Sequence, residues 1–107
     1  MHDYDAIVAT ISELTDLLRA ANEASWVGHL DDAAARLKRP EATSREAGLD
    51  LLLSLYGGMG SLNDLVFSTY SSNLPEGYTE QRANREFRAL KLRLYEQIQS
   101  AKRPHPR

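Results

Sequence analysis

Residues 79–102, TEQRANREFRALKLRLYEQIQSAK, decide what kind of object this chain is. Ala83, Phe87, Leu90, Leu94, Ile98 and Ala101 recur every three or four positions, which aligns them along one side of a helix. At ~1.5 Å per residue such a helix, from Thr79 to Lys102, reaches on the order of 36 Å. A shorter row, Arg88, Leu92, Tyr95 and Gln99, lies roughly opposite on the wheel. Two faces of this helix therefore want contacts.

Upstream, the same period recurs. Tyr4, Ile7, Val8, Ile11, Leu14, Leu18 and Ala21 predict a first helix from Asp3 to Asn22, with Asp3 or Asp5 able to cap it. A second helix opens at Ser25 as N-cap, carries Trp26, Val27, Leu30, Ala33, Ala34 and Leu37, and stops before Pro40. Thr43 with Glu46 three residues on reads as a capping box, so a third helix runs to Tyr56. Leu49, Leu51, Leu52, Leu53, Leu55 and Tyr56 wrap most of its circumference, which marks it as the central helix.

Gly57, Gly58 and Gly60 are expected to end the third helix, because glycine adopts the left-handed C-cap conformation without a steric penalty. Ser61 with Asp64 restarts a short helix carrying Leu62, Leu65 and Val66, and STYSSNLPEG, residues 68–77, is turn chemistry. The expected fold is all-α, a compact bundle of four main helices plus a short helix after a Gly-rich turn. Residues 1–103 are expected to form a single helical domain, and the prolines of residues 104–107 to leave a frayed tail.

The chain has 107 residues, 42% hydrophobic and 26% charged, an ordinary composition for one domain. With no cysteine it offers neither a disulfide framework nor a thiolate site for a metal or a nucleophile. The start, MHDYDAIVAT, lacks the basic region of a secretory signal, and the apolar stretch Leu49–Tyr56 is too short for a bilayer. A cytoplasmic protein without a membrane partner is the expectation.

No catalytic signature and no cofactor motif emerges. The run Gly57-Gly58-Met59-Gly60-Ser61 has no lysine after it and follows a helix instead of a strand, unlike a phosphate loop. Asp64 would also repel an anion at that helix start. His2, His29 and His105 are dispersed, and His29 with Asp32 could share a hydrogen bond but lacks a nucleophile. Serine never occurs in a G-x-S-x-G elbow. Trp26 reads as a packing anchor of the second helix.

Charge is divided by position. Met1–Tyr78 carries 5 Lys/Arg against 12 Asp/Glu, a balance of -7, while Thr79–Arg107 carries 8 against 3, a balance of +5, within a net charge of -2. Two readings stay open: the acidic hairpin of residues 2–32 lies beside the basic last helix and the two attract one another, or one face steers a partner of opposite charge.

The segment Leu55–Ser68, LYGGMGSLNDLVFS, resembles the most distinctive stretch of a functionally unassigned family of short bacterial proteins, and an all-helical fold is what that resemblance implies. Small acidic helical proteins of this kind also resemble, in style alone, the immunity proteins encoded beside secreted bacterial toxins. The leading expectation is accordingly a non-catalytic binding module, an immunity-type inhibitor of a cognate toxin. Its contact residues would be Glu13, Asp16, Glu23, Asp31 and Asp32, with Tyr70 and Leu74 from the loop. The alternatives are nucleic-acid or anion binding through Arg82, Arg85, Arg88, Lys91 and Arg93, against which the net charge argues, and a homodimer through Leu92 and Tyr95. An enzyme using the Gly57–Asp64 segment with Asn63 is the third.

Overall fold

The computed structural model describes residues 3–20, 26–56 and 80–102. They form four helices: α1 (Asp3–Ala20), α2 (Val27–Leu37), α3 (Ala42–Ser54) and α4 (Glu80–Lys102). The fold is all-α among the described residues, as the periodicity predicts. The Gly57–Asp64 motif, its expected short helix and the loop beyond it lie outside the described residues. No described helix is long and apolar enough to cross a membrane.

Packing follows the apolar rows. On α1, Ile7, Ile11, Leu14 and Leu18 are buried, and they face a bundle interior shared with Ala83, Phe87, Leu94 and Ile98 of α4. From α2 and α3, Leu30, Ala33, Leu37, Leu49 and Leu52 complete the core. Burying a side chain of this size stabilises by about 1.5–3 kcal/mol before the entropy of ordering it is counted. Thr10 and Thr15 are also buried on α1. Their hydroxyls donate to the carbonyls of Ala6, at 3.1 Å, and Ser12, at 2.9 Å, so neither is left unpaired in the interior.

The expectation of a central third helix is corrected. α1 packs along α4 and also against α2, α2 packs along α3, and α3 meets α4 only lightly. Leu49, Leu52 and Leu55 are buried, but Leu51 and Leu53 stay half-buried and Asp50 and Ser54 are exposed. An all-round apolar pattern shows how much of a helix avoids water, not which neighbours surround it.

The start of α3 is corrected as well. The helix begins at Ala42, after Glu41 in extended conformation (φ -71°, ψ 129°), and no side chain caps it. Thr43 thus lies inside the first turn, and the Thr43–Glu46 box does not form. Pro40 explains the shift, since its ring sets the turn and Glu41 leads straight into the helix, with Arg45 N–H donating to the Glu41 carbonyl at 3.1 Å. Ser44 does the anchoring instead: its Oγ donates to the Arg36 carbonyl at 3.0 Å, at the end of α2. α2 itself starts at Val27, with Trp26 before it and no side-chain cap; Ser25 is outside the described residues.

Gly48 sets how closely α2 and α3 approach. A Cβ built there would lie 3.1 Å from the Ala33 carbonyl oxygen and 3.1 Å from Leu37 Cγ. A side chain there would require the facing atoms to give by a few tenths of an ångström.

Candidate contact groove

Where α3 ends, the chain reaches the outer side of α4. Leu55 and Tyr56 close α3 with tightened bonds, donating their N–H groups to Leu52 and Leu53 at 3.1 Å each. This sends the Tyr56 side chain across to α4, where its hydroxyl donates to the Lys91 carbonyl at 2.9 Å. The Tyr56 ring meets Tyr95 edge to face, with centroids 5.5 Å apart. Burial pushes the Tyr56 phenol up from its ordinary pKa, so at neutral pH it is a hydrogen-bond donor.

Around this link lies an open groove of about 790 Å³, lined by Leu53, Tyr56, Arg88, Lys91, Leu92, Tyr95 and Gln99. The second row of α4 seen in the sequence thus forms one wall, and α3 supplies the other. Leu92 is 59% exposed and Tyr95 42%, whereas Phe87, Leu94 and Ile98 on the opposite side of the same helix are at most 1% exposed. Lys91 is buried, with Nζ 4.5 Å from the centre of the Phe87 ring. Arg88 and Gln99 are exposed at the rim. An apolar floor with polar edges suits another protein's side chains.

The acidic residues expected to form one patch are divided. Glu13 accepts from Arg93 of α4 at 2.7 Å. Asp16 and Asp31 both face Arg19, at 3.9 and 3.5 Å, and Asp32 faces Arg36 at 3.3 Å. All of these groups are solvent-exposed, so each pair stabilises by under ~1 kcal/mol. His29 makes no bond to Asp32, whose Oδ1 accepts from Arg36; its ring lies 6.5 Å from that of Trp26. Glu23, Tyr70, Leu74, Gly57, Gly58, Gly60, Ser61 and Asp64 lie outside the described residues.

The cations of α4 are partly committed too. Arg82 faces Glu86 at 3.1 Å, and Lys102 reaches Glu46 at 3.0 Å and Asp50 at 2.7 Å on α3. Those two carboxylates hold the Lys102 ammonium above its ordinary pKa. The reading in which the acidic hairpin pairs with the basic helix therefore describes Glu13, while Glu46 and Asp50 pair with that helix from α3. Among the described residues, no three His, Asp or Glu side chains are placed to share a metal ion.

Helical periodicity sets Leu92 and Tyr95 apart but not Leu53 or Tyr56 opposite them. Tyr56 and Lys91 are 35 residues apart, and a contact at that separation leaves no mark in local periodicity. No curated protein and no solved structure matches the chain. The family match, over residues 19–75, takes in Leu53 and Tyr56 and leaves out all of α4. That match spans just over half of the sequence: the chain belongs to the DUF6966 family, described as a domain of unknown function.

Proposed function

We propose that this chain is a non-catalytic protein-binding module whose contact surface is the groove between the end of α3 and the outer side of α4. The observation that carries this reading is the exposure of Leu92 and Tyr95, 59% and 42%, beside half-buried Leu53 and Tyr56. Covering the exposed part of Leu92 stabilises a complex by about 1–2 kcal/mol before the cost of association. Tyrosine packed in a sheltered setting is also among the side chains that contribute most at interfaces.

In its finer form we propose an immunity-type inhibitor, which neutralises a cognate toxin by covering it and needs surface but no chemistry. Glu13, Asp16, Asp31 and Asp32 are secondary in this account, because each already faces an arginine of its own chain. Nucleic-acid binding through α4 draws no comparable support, since Arg82, Arg93 and Lys102 face the chain's own carboxylates.

A photo-crosslinking residue at position 92, compared in cells with one at the exposed Ala35 of α2, tests the binding surface. Adducts of discrete mass at 92 and none at 35 are expected; no adduct at 92 overturns the reading. The finer form is tested by co-expression with the product of the neighbouring gene, with rescue from toxicity as the expected result. If that product is not toxic, or is toxic without rescue, the inhibitor form is overturned while the groove assignment stands on the crosslink.

A further inference from the structure

We infer that the occupant of this groove is a second copy of the same chain, with the two α4 helices crossing antiparallel about Leu92. The inference rests on the reading of the groove as a protein-contact surface and names its occupant in the chain on its own, which a toxin would have to displace in the inhibitor form.

The charges that flank the exposed leucine point to this occupant. Arg88, Leu92 and Glu96 are spaced four apart and form one ridge along α4. All three are exposed, and neither Arg88 nor Glu96 makes an ion pair with another described residue. They stand one turn to either side of Leu92, about 12 Å apart along the axis. Within one chain they are too far apart to pair. An antiparallel copy related by a twofold axis at Leu92 sets Arg88 of each chain beside Glu96 of the other, so that one operation makes two ion pairs.

The same operation brings Leu92 against its own copy, Tyr95 beside Ala89, and Arg85 beside Gln99. The one like-charge pairing beside Leu92 is Lys91 with Arg93, and both are turned to their own chain, Lys91 buried against the Phe87 ring and Arg93 facing Glu13. The parallel arrangement does the opposite, placing Arg85, Arg88 and Glu96 each against an identical charge, a repulsion that selects the antiparallel form. Ridges of residues four apart pack when helices cross at about -50°, which aligns the Arg88–Leu92–Glu96 row with its reversed copy. A twofold interface is self-complementary by construction, and this row is self-complementary on reversal.

The test is sedimentation of the purified full chain at low salt over a range of concentrations. A reversible dimer is expected. R88E and E96R alone should each weaken it at least tenfold, while the double variant R88E/E96R restores it. Mixing the two single variants should give a heterodimer in preference to either homodimer, because both pairs between positions 88 and 96 are then opposite in charge. Circular dichroism matching that of the unaltered chain shows that the variants fold. A dimer indifferent to these exchanges overturns the antiparallel arrangement. A strict monomer with a crosslink from position 92 to another protein overturns the second copy and keeps the groove as a binding surface. A strict monomer with no crosslink at 92 overturns both.

Discussion

The Tyr56 hydroxyl donates to the Lys91 carbonyl at 2.9 Å, fastening the end of α3 to the middle of α4 across 35 residues of sequence. Tyr56→Phe keeps the ring and its edge contact with Tyr95 but removes this bond, and should cost about 1 kcal/mol at neutral pH. Burial raises the phenol pKa, so the folded chain keeps a proton that the unfolded chain releases from about pH 10. The contribution is therefore full below that pH and falls as the pH rises above it. Urea midpoints of the two proteins should differ most near neutrality and converge in the alkaline range. A difference independent of pH would show that the phenol is not shielded as described.

At the α2–α3 turn, two neighbouring hydroxyls should behave oppositely. Thr43 is exposed in the first turn of α3 and caps nothing, so Thr43→Ala should change stability by no more than about 0.5 kcal/mol. Ser44 bonds the Arg36 carbonyl, and Ser44→Ala should cost about 1 kcal/mol. The reverse order in a denaturation series would restore the capping box that the sequence predicts.

Gly28 and Gly48 form a second contrast. Both are helical, and alanine normally stabilises a helix over glycine by up to about 1 kcal/mol. Nothing lies within 4 Å of a Cβ at Gly28, so Gly28→Ala should show part of that gain in its melting temperature. At Gly48 the added atom meets the Ala33 carbonyl oxygen at 3.1 Å, and backbone yields less readily than a side chain. Gly48→Ala should lose the gain, and Gly48→Val should destabilise by about 1–3 kcal/mol as the helices are forced apart.

These cases show where the sequence is readable and where it is not. The buried rows of α1, α2 and α4 are legible because a helical period of three to four residues fixes a face whatever packs on it. Helix order is not, and α3 is the example: Leu51 and Leu53 extend its apolar pattern, yet both are half-buried and α1 lies between α4 and α2. The Thr43–Glu46 spacing satisfies a local rule, while Pro40 and Glu41 decide where the helix starts. At the candidate site, Leu92 and Tyr95 stand out because an amphipathic helix has no use for a second apolar row. Their opposite wall, Leu53 and Tyr56, is set by a contact between distant segments. The carboxylates of α1 and α2 read as one patch until Arg19, Arg36 and Arg93 divide them.

Lys102 holds Glu46 and Asp50 of α3 from the last turn of α4, which ties two helices that otherwise meet only lightly. Lys102→Met should lower the melting temperature at neutral pH. The ammonium pKa is raised in the folded chain, so its contribution is full below the ordinary lysine range and lost as the pH rises through the raised value. The two proteins should melt alike in strong alkali. The carboxylates are exposed, so added salt should also narrow the gap at neutral pH. A gap that salt leaves intact would assign the effect to the lysine stem packing instead.

Phe87 and Leu92, five residues apart, separate the two faces of α4. Phe87 is 1% exposed in the core, and Phe87→Ala should cost about 3–5 kcal/mol through the cavity it leaves. Leu92→Ser removes a side chain that is 59% exposed, and in dilute protein it should change stability by no more than about 0.5 kcal/mol. The serine variant should diverge from the unaltered chain only as concentration rises, because self-association stabilises the folded state by mass action. Melting curves at two protein concentrations differing a hundredfold read this directly. A large loss for Leu92→Ser at the lower concentration would mean that the residue packs within its own chain, and the groove would then lose its standing as a contact surface.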